Sequence, residues 1–370
     1  MDFRGPSARR RLRTVLATVA VTGAGALALS SCASPAASEE GDDRPSIVAT
    51  TTQVGDFTRE LVGDGAEVTQ LLAPAQSAHS FDPSAAQLLA LSEADALVVN
   101  GAGLESWLDD AVSASGFHGV LIDASTGIDL YGTDDHEHAS DAAGEPASDE
   151  HADDEHADDV HDDDEHTDAA SDHDGHDHGA GNPHIWTDPA LAVRMVETIA
   201  AGLTEVPGID APSVEANEQA YVAKLDALDA WIRENVDTVP ADERLLVTNH
   251  DAFTYFVDAY GLTFVGSVIP SFDDNAEPSA AEIDALVEKI RATGVAAVFS
   301  EASISPKAAA TIGREAGVTV YSGDDALYGD SLGVVGSDGA TYLGSQIHNA
   351  TRILESWGIT PSPLPALLRG

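Results

Sequence analysis

Short apolar stretches alternate with longer amphipathic ones along most of this chain. Apolar stretches at 47–50, 68–72, 97–100 and 120–122 read as strands, and 83–92 and 104–113 read as helices. Asp188-Pro189 is a helix start, with Asp as cap and Pro at the first helical position. From 212 to 240 the pattern changes to one long helix. Tyr221, Leu225, Leu228 and Ile232 recur at three- and four-residue spacing and form a single stripe, and Pro240 marks its end. A second alternating block follows, with strands at 245–248, 264–269, 296–299 and 319–321 and helices at 252–260, 280–292, 307–316 and 342–357. Strands alternating with helices predict parallel sheets with crossover helices. The expected fold is therefore α/β: two parallel-sheet, doubly wound lobes (45–211 and 241–370) joined by the helix 212–240. A cleft between two lobes is where ligand sites tend to lie.

Two segments break the pattern. Residues 1–32 have a basic start (Arg4, Arg9, Arg10, Arg11, Arg13), a short Gly/Ala-rich apolar run from 15 to 29, then Leu29-Ser30-Ser31-Cys32. This reads as an export signal rather than a spanning helix. The final tetrad resembles a bacterial lipobox, which implies lipidation of Cys32, anchoring to the outer face of the cytoplasmic membrane, and a tether over 33–44. The alternative is an ordinary secretory signal. Cys32 is the only cysteine, so no intramolecular disulfide, thiolate metal site or CxxC redox pair can exist.

The second segment runs from 134 to 181. Nine of the 14 histidines fall in it: His136, His138, His151, His156, His161, His166, His173, His176 and His178. Acidic residues fill the spaces between them, and so polar a tract cannot bury a core. Imidazole suits zinc and similar ions, so the tract is a candidate for auxiliary metal capture. With 17 basic against 64 acidic residues the formal charge is −47. That field argues against nucleic acid and anionic lipid as partners, and it attracts cations.

Candidate ligands recur at equivalent places. His79 and His184 each precede a helix of the first block. His250 ends a strand of the second, and Asp325 follows another. Ligands in open α/β sheets bind beyond the carboxyl ends of strands, and three imidazoles with one carboxylate complete a tetrahedral zinc shell. Each residue alone is weak, because a histidine ahead of a helix is commonly a cap or a packed surface residue. Asp324 competes with Asp325. Asp82, Asp188, Asp251 and Glu301 could accept a hydrogen bond from a ligating imidazole, although Asp82 and Asp188 beside Pro83 and Pro189 read better as helix caps. His118 and His348 lack such a setting and read as structural or surface residues.

Three segments carry a resemblance. Asn182-Pro183-His184-Ile185-Trp186-Thr187-Asp188-Pro189, Thr248-Asn249-His250-Asp251-Ala252-Phe253-Thr254-Tyr255-Phe256 and Ser322-Gly323-Asp324-Asp325-Ala326-Leu327-Tyr328-Gly329-Asp330 resemble the metal-binding, zinc/manganese group of ABC-transporter substrate-binding proteins. The resemblance spans roughly 45 to 360. It implies one metal held between two lobes by His79, His184, His250 and Asp325, a stiff connecting helix, and delivery of the ion to a permease and its ATPase. It also allows a separate zinc chaperone, and it implies a monomer. Manganese-specific members tend to offer two His and two carboxylates, so His250 favours Zn(II) as the cargo. A manganese-binding homologue is one alternative, and a surface metal buffer or adhesin is another. A hydrolytic zinc enzyme is disfavoured: four protein ligands leave no open position, and HExxH does not occur.

Overall fold

The computed structural model describes residues 44–132 and 181–369. The export signal, Cys32, nearly all of the tether and the nine tract histidines lie outside the described residues. Strands β1 (Ser46–Ala49), β2 (Glu67–Gln70), β3 (Ala96–Val99) and β4 (Val120–Asp123) form one all-parallel sheet in the order β2-β1-β3-β4. Both faces are covered, so β1 and β3 are almost fully apolar and buried.

Helix α1 (Thr52–Val62) follows β1 and is capped by the Thr51 side chain. It is absent from the expected elements, although Val54, Phe57 and Leu61 form a buried stripe at helical spacing. Helix α2 (Ala85–Glu93) opens on a reciprocal capping box between Ser84 and Gln87, so Asp82 caps nothing here. Helix α3 is Leu108–Ser115. Helix α4 (Pro189–Thr204) starts as its sequence predicts, with the Asp188 side chain accepting from the Ala190 N–H.

The long helix α5 (Ala211–Val236) ends four residues short of the expected boundary. Tyr221, Leu225, Leu228 and Ile232 are all buried, together with Trp231. This stripe lies in a hydrophobic core that extends from β1 and β3 to Phe253, Phe256 and Leu354 in the second half of the chain.

That second half alternates β5 (Leu245–His250), α6 (Thr254–Tyr260), β6 (Thr263–Ile269), α7 (Ala280–Thr293), β7 (Ala297–Phe299), α8 (Lys307–Ala316), β8 (Thr319–Tyr321) and α9 (Tyr342–Ser356). Strands β5 and β6 pair in parallel with a bulge at Leu246/Val247, and β7 and β8 pair in parallel. A smaller core, centred on Val247, Val268, Ile290, Val298 and Ile312, sits beneath α7 and α8. Beyond β8 a short 3-10 turn, Gly323–Asp325, carries the chain outward. Leu327 then returns to a parallel bridge with Glu301. This excursion decides which carboxylate reaches the cleft.

Candidate metal centre

Four side chains converge: His79, His184, His250 and Asp330, with one ligand atom from each lying within 4.8 Å of all the others. His250 is the last residue of β5. His184 ends the loop ahead of the turn Ile185–Thr187 that leads into α4. His79 sits in the loop between β2 and α2. That loop is clamped through its backbone: Trp107 Nε1 donates to Ala78 O at 2.9 Å, and Ser77 Oγ accepts the His79 N–H at 3.2 Å.

The expected carboxylate is corrected by this geometry. Asp325 lies in the outward 3-10 turn, is exposed, and meets the Arg352 guanidinium at 3.2 Å. Asp324 is exposed in the same turn. Pairing of Leu327 with the end of β7 turns the chain back, and Asp330, three residues further on, enters the cleft fully buried. His118 is exposed, and His348 Nε2 donates to Ala326 O at 3.0 Å, so neither joins the centre.

The His184 Nε2 stands 3.3 Å from both His79 Nε2 and His250 Nε2, and 3.0 Å from Asp330 Oδ1. His250 Nε2 is 3.2 Å from the same oxygen, and His79 Nε2 is 3.6 Å from Asp330 Oδ2. A tetrahedron with edges of about 3.3 Å has its centre about 2.0 Å from each corner, the ordinary zinc–nitrogen distance, and the His184, His250 and Asp330 Oδ1 donors are spaced for such an ion.

The far sides of two rings fix their tautomers. His184 Nδ1 is 2.7 Å from Asn182 Oδ1, which also accepts the His184 backbone N–H at 3.1 Å. His250 Nδ1 is 2.7 Å from Glu301 Oε1, which likewise accepts the His250 N–H at 3.1 Å. With Nδ1 as donor in both, Nε2 is the atom each ring turns to the centre, and it presents a lone pair there whenever the ring is neutral. Of the four suggested acceptors, only Glu301 plays that role. Asp188 caps α4, Asp251 accepts from Thr254 Oγ1, and Asp82 is exposed. Asn182 was not among the candidates, although an Asn two residues before a histidine is the sequence signal of such a turn.

Burial and charge act in opposite directions here. Burial drives His184 down to about 4, against the pull of Asp330, so its ring is neutral and its contact with Asp330 is not an ion pair. Burial also lowers His250, but Asp330 and Glu301 on either side outweigh it and hold the ring well above its ordinary value. Burial raises Asp330, and the facing histidines overcome this and keep it well below the carboxylate range. Both Asp330 oxygens and Glu301 Oε2 are buried without a hydrogen bond. Buried carboxylate oxygens and inward lone pairs require a positive charge among them. A proton on His250 or a divalent cation at the centre supplies it.

Glu301 is packed tightly. A Cβ at Gly329 would lie 2.0 Å from Glu301 Oε2. Gly329→Ala is therefore expected to push this carboxylate off His250 and weaken divalent-metal affinity by about 10–100-fold, the range for losing an outer-shell partner. Competitive metal titration of the folded variant checks this, and unchanged affinity would contradict it. The site opens at His79, the one partly exposed member of the four, into a pocket of 170 Å³ lined also by Gly181, Pro183, Phe272 and Asp273.

A two-lobed α/β scaffold with three imidazoles and a carboxylate facing one point defines a metal-binding receptor. Residues 47–356 match the family "Zinc-uptake complex component A periplasmic", and the chain belongs to that family. It is a family of metal-binding components of ABC-type metal uptake, not of enzymes. The chain is 27% identical over 312 residues to the manganese-binding lipoprotein MntA of Halalkalibacterium halodurans, covering 84% of this chain and 88% of that protein. It is 29% identical over 282 residues to the zinc-binding lipoprotein AdcA of Streptococcus pneumoniae, covering 76% of this chain and half of that longer protein. The fold is shared with the periplasmic zinc-binding protein TroA from Treponema pallidum, at a TM-score of 0.68 and 23% identity over 85% of this chain and 99% of that one.

Proposed function

We propose that the chain captures a single Zn(II) as cargo through the Nε2 atoms of His79, His184 and His250 and the carboxylate of Asp330, and delivers it to an ABC permease and its ATPase. The observation that carries this reading is the set of donor separations between 3.0 and 3.6 Å, which suits a tetrahedral ion with short nitrogen bonds. Three nitrogens and one carboxylate favour zinc over manganese, which prefers oxygen donors and octahedral geometry. A manganese reading is the alternative, favoured by the name of the MntA relative. In the proposed account Cys32 carries a lipid anchor that holds the protein at the outer face of the membrane, and the chain works as a monomer. Residues 45–211 and 241–370 serve as the two lobes, with α5 as their stiff connection.

The His/Asp-rich segment 134–181 is proposed to raise the local zinc concentration near the pocket mouth, where Gly181 stands beside His79. Uptake at limiting zinc should slow when that segment is deleted, and unchanged kinetics would remove this role.

Competition between the two ions tests the cargo. One Zn(II) per chain should resist a large excess of Mn(II). Displacement of zinc by comparable manganese would favour the alternative.

A further inference from the structure

Asp330 comes from the second half of the chain, yet residues of the first half hold the backbone around it. Up to Tyr328 the chain is fastened to its own half. Leu327 pairs with the end of β7, and Tyr328 exchanges two 2.8 Å hydrogen bonds with the Asn349 side chain. At Gly329 the partners change. Gly329 O accepts from Gln53 Nε2 at 3.1 Å and from Trp186 Nε1 at 3.2 Å. Ser331 Oγ accepts the Ala75 N–H at 2.8 Å. Leu332 N–H donates to Thr52 Oγ1 at 2.8 Å, and that hydroxyl donates to Gln53 Oε1 at 2.9 Å. Thr52 and Gln53 are both buried in the first turn of α1.

We propose that Thr52 and Gln53 are positioning residues for the metal ligand Asp330, a clamp that fastens the segment 329–332 to the first half of the chain. The inference rests on the zinc-site reading and goes beyond its four ligands. The two residues hold Asp330 from both sides: Gln53 grips the carbonyl before it, and Thr52 the amide two residues after it. The clamp is closed on itself, because the Gln53 amide donates to Gly329 and accepts from Thr52 at the same time. An apolar side chain at 53 leaves the buried Thr52 hydroxyl without its acceptor and Gly329 O with one donor fewer. The Asp330 carboxylate meets the three site imidazoles and is carried to them by this backbone. The clamp also divides the ligands unequally. His79, His184 and Asp330 are fixed to the first half, and His250 alone is presented by the second.

The test places Gln53→Leu in the full chain and in an Asp330→Asn background. Zn(II) affinity is measured against a chelator strong enough to strip weak sites. Gln53→Leu is expected to weaken binding about tenfold, mainly through faster release. In the Asp330→Asn background it should add nothing, because the residue it aims is already disabled. The visible spectrum of Co(II)-loaded Gln53→Leu should move toward that of Asp330→Asn. An equal loss in both backgrounds, or no loss in either, overturns the clamp. If Gln53→Leu does not fold, Thr52→Val carries the same comparison. His184→Ala separates the two claims. If it retains tight zinc, the site reading itself fails; if it loses zinc while Gln53→Leu and Thr52→Val are silent, only the clamp fails.

Discussion

Replacing His184 with alanine is expected to cost more zinc affinity than any other single change in the cleft, well over about 100-fold, since loss of an outer-shell partner alone reaches that range. His184 Nε2 lies within 3.3 Å of the other two imidazoles and 3.0 Å from Asp330 Oδ1, so it shares an edge of the donor set with every other ligand. Its removal leaves a void and takes from the Asn182 side-chain oxygen one of its two partners, the ring Nδ1 at 2.7 Å. His250→Ala should be the milder substitution, because His79, His184 and Asp330 stay fastened together. Competitive titration of both variants decides the order. Tighter zinc binding by His184→Ala than by His250→Ala would contradict it.

Zinc binding should strengthen steeply with pH. His250 is held above its ordinary value by Asp330 and Glu301 against the effect of burial, so it carries a proton in the metal-free protein near neutrality. A raised histidine stabilises the metal-free fold fully below its unfolded value near 6.5, and that contribution is lost as pH rises through the folded pKa. Zinc must displace this proton. Below the folded pKa one proton leaves per ion, and affinity changes about tenfold per pH unit.

His184 behaves in the opposite sense. Burial depresses it to about 4, so between that value and about 6.5 the unfolded chain binds a proton that the folded chain refuses. Stability is therefore lost as pH falls through that window, while the ring stays ready to ligate. From about pH 8 to about pH 5.5, zinc affinity should fall by more than about 100-fold, and the zinc-induced rise in Tm should shrink with it. An affinity that does not change over that range would contradict the assignment of the proton to His250.

The α/β alternation, the long helix and three of the four converging side chains were legible in the sequence. The reason is local: each of His79, His184 and His250 lies past a strand or ahead of a helix, and that shared setting, together with the resemblance of the segments around them, singled out what each alone could not. Asp330 was not legible for the same reason. Its position depends on a three-residue 3-10 turn at Gly323–Asp325 and a single bridge between Leu327 and Glu301, and neither leaves a periodic trace. The acid nearest the strand end was therefore the natural choice, and it faces solvent beside Arg352. Helix α1 shows a different limit. Its first turn, Thr52-Gln53, reads as polar, and those residues are buried because the segment returning through Gly329 and Leu332 covers them. Non-local hydrogen bonds of this kind cannot be inferred from spacing.

The central claim is that one tight zinc site exists in the cleft, independent of the His/Asp-rich segment, with Asp330 as its carboxylate. The segment can be removed cleanly, because its flanks already meet: the Asn182 N–H donates to Tyr131 O at 2.7 Å. The measurement is zinc content and competitive zinc affinity of the chain lacking residues 134–180, alone and with Asp330→Asn or Asp325→Asn. The account predicts one tightly held zinc per chain, a loss of more than about 100-fold with Asp330→Asn, and no change with Asp325→Asn. Absence of a tight zinc once the segment is gone, or an equal loss with Asp325→Asn, would contradict it.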